Sequence, residues 1–380
     1  MAMPVYLDYN ATTPIAPEVA EAIRPCLGPL FGNPSSPHLY GIAARRAVDA
    51  ARAQVAALLG CNPAEVVFTG GGTEANNMAL KGVVRAARGA GRRRIVTTAV
   101  EHPAILEPLE ALAEEGVEVV ILPVDAWGRV DPDVVRRAVR EPTLLVTVMH
   151  ANNEVGTVQP IAEIAAIAHE AGALMHTDAA QTPGKVAVDV AALGADLVSL
   201  AGHKLYAPKG VGALYVRAGV AMAKFMHGAT HEANRRAGTE NLIGIVGLGA
   251  AASLAARDLE AQAAHLRAMR DRLETGLLAI DPDARVNGHP TQRLPNTLSI
   301  GFRDLNADDL LVELSDRVAA SAGAACHSDQ VTVSSVLQAM GVPLEYARGT
   351  LRFSVGRMTT ADEIDIAIAT VRDALVSLRG

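Results

Sequence analysis

From about residue 43 to residue 255, short aliphatic runs alternate with longer stretches in which apolar positions recur every three or four residues. That rhythm predicts strands laid side by side and joined through helical crossovers. Seven runs qualify as strands: 65–69, 94–98, 117–122, 144–149, 174–178, 197–201 and 212–216. Most are continuously apolar, as strands covered on both faces are. Ala47, Ala51, Val55 and Leu58 recur near helical spacing, and 161–171 gives a second amphipathic helix. An Ala-rich, charged segment over about 249–279 reads as one long helix leading out of the sheet. Beyond it the pattern changes to short strands near 297–302 and 350–354. The expected organisation is a large α/β domain over 13–254, with a seven-stranded, mainly parallel sheet. A smaller α+β domain is expected from 1–12 and 255–380, packed tightly because no repeat or low-complexity linker intervenes.

Composition narrows the function classes. The 380 residues exceed what one core usually serves, and at 50% hydrophobic and 20% charged they can bury a large one. Aromatic residues are only 3%, so the core is aliphatic and no aromatic stripe offers stacking to bases. A net charge of −7 repels phosphodiester backbones and anionic lipid, which argues against nucleic acid and membrane surfaces as partners. Cys26, Cys61 and Cys326 are too few and too scattered for a disulfide framework, and no paired spacing suggests a metal site. The opening MAMPVYLDYNATTP lacks a basic stretch followed by an apolar one, and no later run approaches eighteen apolar residues. A cytoplasmic location is therefore expected. The cluster Arg92-Arg93-Arg94 reads as a solvated strand entrance rather than an anion site.

Three features carry chemistry. Lys204 follows the predicted strand 197–201 immediately, within Ser199-Leu200-Ala201-Gly202-His203-Lys204. A partly buried amine loses its proton readily enough to condense with an aldehyde as a Schiff base. Asp178 ends another strand, either as an ordinary helix cap or as counter-ion to a protonated pyridine nitrogen. Gly70-Gly71-Gly72-Thr73 follows a strand and opens a helix, so glycines, free amides and a hydroxyl converge where a phosphate could sit. No GK[ST] follows and the spacing is not GxGxxG, which disfavours a nucleotide. Phosphate cup, acid and lysine together suggest pyridoxal phosphate.

The chain also resembles the cysteine desulfurase group of the fold-type-I pyridoxal-phosphate enzymes, which includes the selenocysteine lyases. The resemblance runs through LDYNATTP (7–14), GNPSS (32–36), GGTEANN (71–77), EHPA (101–104), NNEVG (152–156), HTDAAQ (176–181), GHKLYAPKG (202–210), RAGTEN (236–241) and LRFSVGR (351–357). It implies that Lys204 holds the cofactor and moves protons at the substrate Cα. It implies that Asp178 pairs with the ring nitrogen, that Gln181 donates to the phenolic oxygen, and that His102 lies on the ring face. Gly72, Thr73 and His203 are implied in phosphate binding, with Thr239 reaching the phosphate from the neighbouring subunit of a homodimer. Asn153 and Arg352 are implied to hold the substrate carboxylate, with Asn10 beside them, Arg352 by its forked geometry. Cys326, in the small-residue segment SAGAACHSD (321–329), matches the cysteine that takes sulfur as a persulfide.

Two departures stand out. Ala201 replaces a serine common three positions before the lysine, and 228–234 (GATHEAN) lacks two glycines and an arginine of the usual loop. The implied activity is conversion of L-cysteine to L-alanine, with sulfur passed to an acceptor such as an iron–sulfur scaffold protein. SAGAACHSD resembles animal selenocysteine lyases more than the usual SSGSAC of bacterial desulfurases, and those lyases likewise lack the serine before GHK, so release of selenium from L-selenocysteine stays open as the alternative. An aminotransferase and a non-catalytic scaffold are the remaining readings.

Overall fold

The structure, a computed structural model, describes residues 3–89, 91, 93–322 and 333–380. Strand β1 (Val5–Tyr6) comes first, followed by β2 (Val66–Thr69), β3 (Arg94–Thr98), β4 (Glu118–Leu122), β5 (Thr143–Thr147), β6 (Leu174–Asp178), β7 (Leu197–Ala201) and β8 (Gly212–Val216). The second half adds β9 (Arg285–Asn287), β10 (Thr297–Gly301), β11 (Val318–Ala319), β12 (Ser321–Ala322) and β13 (Thr350–Ser354). Strands β2 to β8 form one seven-stranded sheet in the order β2-β8-β7-β6-β5-β3-β4. In it β8 runs antiparallel to β2 and β7, while the other pairings are parallel. The mainly parallel α/β sheet expected from the apolar runs is thus present, with each strand within a residue or two of its predicted bounds.

Alternation along the strands builds a core on each face of this sheet. Val66, Phe68, Val198 and Leu200 pack with Val48, Val55 and Leu248 from helices Leu39–Leu59 and Leu242–Arg257. Val67, Leu197 and Leu214 turn the other way, onto Met78, Leu80 and Ile105 from helices Gly72–Ala86 and Pro103–Glu114. A second sheet, β12-β13-β10-β9, is antiparallel, and β1 pairs in parallel with β11. Its core joins Leu298, Ile300 and Phe353 to Leu273, Leu277, Ile364 and Val371.

Two sequence expectations are corrected. The single helix over 249–279 is two helices, Leu242–Arg257 and Leu259–Ile280, meeting at 80° around Asp258. The first contributes Leu248, Ala251 and Leu254 to the large-sheet core, whereas the second sends Leu266, Leu273 and Leu277 into the other core. Two cores on different planes force the bend, and no proline or glycine at 258 marks it. Arg94 is likewise not a solvated residue: it is 7% exposed and its guanidinium pairs with Glu118 at 2.9 Å. Among the described residues, no single helix is long and apolar enough to cross a membrane.

The unusual loop 228–234 is held by its one buried acid. Glu232 accepts two hydrogen bonds of 2.7 Å from the Arg52 guanidinium and one of 2.8 Å from the Phe68 amide. Glu232, Ala233 and Asn234 lie at positive φ of 47°, 52° and 67°, a region favourable to asparagine but costly for the other two. The ion pair therefore offsets local backbone strain. Arg52→Ala leaves the Glu232 carboxylate buried without its partner, and a urea titration is expected to show a loss of about 3 kcal/mol.

Candidate active site

A cavity of about 390 Å³ opens at the carboxyl ends of β6 and β7, the edge where parallel α/β sheets bind ligands. One wall comes from the large sheet. The other comes from β13 of the smaller sheet and from residues 8–13, a strap that crosses between the two. Leu7 donates to Ala319 and accepts from Ser354, while Thr13 donates to the His203 carbonyl through both its amide and its hydroxyl. The Tyr206 amide then donates back to the Thr13 hydroxyl at 2.9 Å. This zipper turns the chain sharply after Lys204, with Tyr206 at φ 64°.

Lys204 sits in the short 3-10 turn Gly202–Lys204. Its ammonium donates to the main-chain carbonyls of Asn10 and of Ala11, the latter at 2.8 Å. Neutral carbonyls compensate a charge less than a carboxylate does. Burial, reinforced by Arg352 and opposed by Asp8 and Asp178, brings the amine from an ordinary 10.5 down to about 8. Lys204 therefore gives up its proton far more readily than a solvated lysine, and a usable share of it is the nucleophilic amine near pH 8.

Asp178 closes β6 with a buried carboxylate. Its Oδ2 accepts from Asn76 Nδ2 at 2.6 Å, and its Oδ1 accepts from the Ala180 amide at 2.9 Å. A carboxylate has about four acceptor positions, so room remains for a further donor from the cavity. Helix Gly72–Ala86 starts beside it without any side-chain cap, after Gly71 at φ 151°. Gly72 lets that start lie close to β7, since a Cβ there would stand 3.1 Å from the Ala201 methyl. Its first amides, the Thr73 hydroxyl and the His203 ring therefore border the same end of the cavity. Burial, with Lys204 and Lys209 adding, lowers His203 to about 4, so its imidazole is neutral there.

His102 caps helix Pro103–Glu114, its Nδ1 accepting from the Ala104 amide at 3.0 Å. Burial, partly offset by Asp178 and reinforced by Lys204, keeps the ring below its ordinary value. The neutral tautomer that satisfies this cap carries its proton on Nε2. Glu101 next to it is fully buried, accepts from the Thr98 hydroxyl and the Met149 amide, and is raised by burial to about 8. It ties the exits of β3 and β5 together and so fixes where His102 begins.

On the opposite wall, Arg352 projects from the middle of β13. It donates to Asp8 at 2.8 Å and to the Asn153 carbonyl at 3.3 Å, while its buried Nε has no partner among the described residues. Asn10 is a junction: its Nδ2 donates to the Asn153 carbonyl and the Thr297 hydroxyl, and its carbonyl accepts from Gln181 Nε2 at 3.1 Å.

Of the residues singled out from sequence, Asn10, Gly72, Thr73 and His102 line this one cavity, as do Asn153, Asp178, Gln181, His203, Lys204 and Arg352. Thr239 does not line it and is exposed. Cys326 lies outside the described residues. Sequence reasoning missed the roles of Asn76, Asp8 and Lys185. Asn76 could have been found, since it lies four positions after Gly72 and therefore on the same helical face. Asp8 and Lys185 left no periodic signal.

The aminotransferase class-V family model matches residues 5–366, and the chain belongs to that family. Its curated relatives include cysteine desulfurases. It is 46% identical over 376 residues to cysteine desulfurase IscS of Methanosarcina thermophila, covering 99% of this chain and 93% of the relative. It is 43% identical over 380 residues to cysteine desulfurase IscS of Dictyoglomus turgidum, covering 100% and 96%. A solved structure of a NifS-like protein superposes with a TM-score of 0.93 at 36% identity, covering 99% of this chain and 100% of that one. Members of this group depend on pyridoxal phosphate, and the residues present fit it. An uncapped helix start suits a phosphate, a carboxylate with spare acceptor capacity suits a ring N–H, and an amine of lowered pKa suits an aldehyde.

The sign of the Lys204 shift gives a direct test. Lowering the pKa from 10.5 to about 8 leaves roughly 300 times more neutral amine at pH 7. In cofactor-free protein, the rate at which added pyridoxal phosphate develops visible absorbance is expected to rise with pH and level off with a midpoint near 8. Lys204→Ala is expected to develop none of that absorbance.

Proposed function

We propose that the protein acts as a pyridoxal-phosphate-dependent cysteine desulfurase, converting L-cysteine to L-alanine and carrying the sulfur away as a persulfide on Cys326. The observation that carries this reading is the shared cavity, where Lys204, Asp178 and an open helix start face Arg352 from the other sheet. The names of the relatives favour cysteine over selenocysteine as the substrate.

In this reading Lys204 holds the cofactor and Asp178 receives its ring N–H. The start of helix Gly72–Ala86, Thr73 and His203 hold its phosphate, Gln181 donates to its phenolic oxygen, and His102 covers its face. When bound, pyridoxal phosphate supplies an electron sink that weakens the bonds at the substrate Cα and, through them, the Cβ–S bond. Arg352 turns from Asp8 to grip the substrate carboxylate, where its unpartnered Nε completes a forked contact, and Asn153 and Asn10 border that carboxylate. Lys204, whose hold on a proton is weakened by burial, removes and returns the proton at Cα. The Nε2–H of His102 is placed to exchange a proton with the substrate. The Cys326 thiolate then attacks the substrate sulfur. An Sγ–S bond forms as the Cβ–S bond breaks, and Cβ keeps the electron pair and takes up a proton to leave alanine.

The same reading places sulfur transfer onto an acceptor protein such as an iron–sulfur scaffold, in the cytoplasm. It also places the boundary between the cofactor-binding domain and the smaller domain near residue 254. A homodimer is part of it, because Thr239 is exposed and does not line its own cavity, where a second copy could receive it.

Incubation with ³⁵S-cysteine tests the reading. The purified protein is expected to release alanine and to retain label that thiols remove. Cys326→Ala is expected to keep the visible absorbance of the cofactor while losing labelled persulfide, and Asp178→Asn to lower alanine formation at least 100-fold. Alanine release from selenocysteine, with none from cysteine, would transfer the assignment to a selenocysteine lyase.

A further inference from the structure

Lys185 has no place in the chemistry described so far, yet it is the most thoroughly buried amine near the cavity. It follows β6 in the turn after Gln181 and is 6% exposed. Its Nζ donates to Gln181 Oε1 at 3.0 Å and to Asn10 Oδ1 at 3.4 Å, both uncharged oxygens. No ion pair to it is seen among the described residues. The charged groups that face it are two cations, Lys204 and Arg352, which add to burial in lowering it to about 7. A buried amine without a counter-ion costs several kcal/mol, so its retention calls for a task that methionine or leucine could not perform.

The hydrogen-bond pattern supplies one. Gln181 and Asn10 each end in an amide whose two faces differ only in which atom donates. An ammonium donates and cannot accept, so protonated Lys185 turns Gln181 Oε1 and Asn10 Oδ1 toward it. The nitrogens must then point the other way. Gln181 Nε2 spends one proton on the Asn10 carbonyl at 3.1 Å, the same carbonyl that receives Lys204, and keeps its second proton for the cavity. Reversing the Gln181 amide would set its NH2 against the Lys185 ammonium and its oxygen against the Asn10 carbonyl. Asn296 Nδ2, donating to Asn10 Oδ1 at 2.9 Å, reinforces the same sense.

We infer that Lys185 is a positioning residue which locks the Gln181 side-chain amide with its donor facing the cofactor's phenolic oxygen. The inference rests on the proposed contact between Gln181 and pyridoxal phosphate. Acting through Gln181, Lys185 biases that oxygen toward its anionic form and thereby sets the pH at which the bound cofactor changes its absorbance.

A double-mutant cycle on the holoenzyme without substrate tests this, read as the pH midpoint of the visible spectral change. Gln181→Leu is expected to raise the midpoint by about one pH unit, the scale of one charge-assisted hydrogen bond. Lys185→Met is expected to give most of that rise, and the double variant no more than Gln181→Leu alone. A midpoint unmoved in Lys185→Met, while Gln181→Leu moves it, would overturn the inference and spare the proposed site. A further full shift in the double variant would overturn it too, by assigning the effect to the field of the ammonium. No shift in Gln181→Leu would remove the proposed Gln181 contact and the inference together. Lys185→Gln, a neutral donor that keeps the position polar, serves where Lys185→Met does not accumulate as folded protein. It is expected to hold the midpoint near that of the unaltered protein, and a full upward shift would again overturn the inference.

Discussion

The chemistry of this molecule depends on one constraint: the half-buried Lys204 amine is hydrogen-bonded to peptide carbonyls, with no carboxylate in contact among the described residues. An ammonium in such surroundings is stabilised less than in water or in an ion pair, so the neutral amine gains. Arg352 presses in the same direction, while Asp8 and Asp178 oppose it. The balance leaves an amine that is reactive near neutral pH without being fully discharged.

That balance requires two separately built sheets to meet. The strap formed by residues 8–13 is hydrogen-bonded to β13 at one end and to the turn carrying Lys204 at the other. Asn10 lies at the crossing, touching Gln181, Asn153, Thr297, Asn296 and both lysines. Displacing the smaller sheet would therefore uncouple the grip on the substrate from the hold on the cofactor. The 80° break at Asp258 serves the same arrangement, since it lets one continuous chain feed two differently oriented cores.

Local pattern reveals some of these features and hides others. The strand β6 ends in Asp178 and β7 leads into Lys204 because apolar runs stop there, and those stops are visible in the residue order. Gly71 and Gly72 mark an open helix start for the same reason. The bend at Asp258 is hidden, because both flanking segments keep helical periodicity and no breaker interrupts them. The burial of Arg94 is hidden as well: its partner Glu118 belongs to the neighbouring strand, a parallel pairing that residue order does not announce.

Residue order by itself determined the succession of strands and helices, the reactive groups and the ends of the elements on which they stand. Those properties follow from contacts a few residues apart. Only the tertiary structure decided that Lys204 rests on carbonyls from residues 10 and 11, that Arg352 reaches in from another sheet, and that Lys185 orients Gln181 and Asn10 together. These depend on burial and, apart from the Lys185–Gln181 contact within one turn, on hydrogen bonds between segments more than a hundred residues apart, whose energies arise only once the strap, both sheets and the turn after β6 close around one cavity.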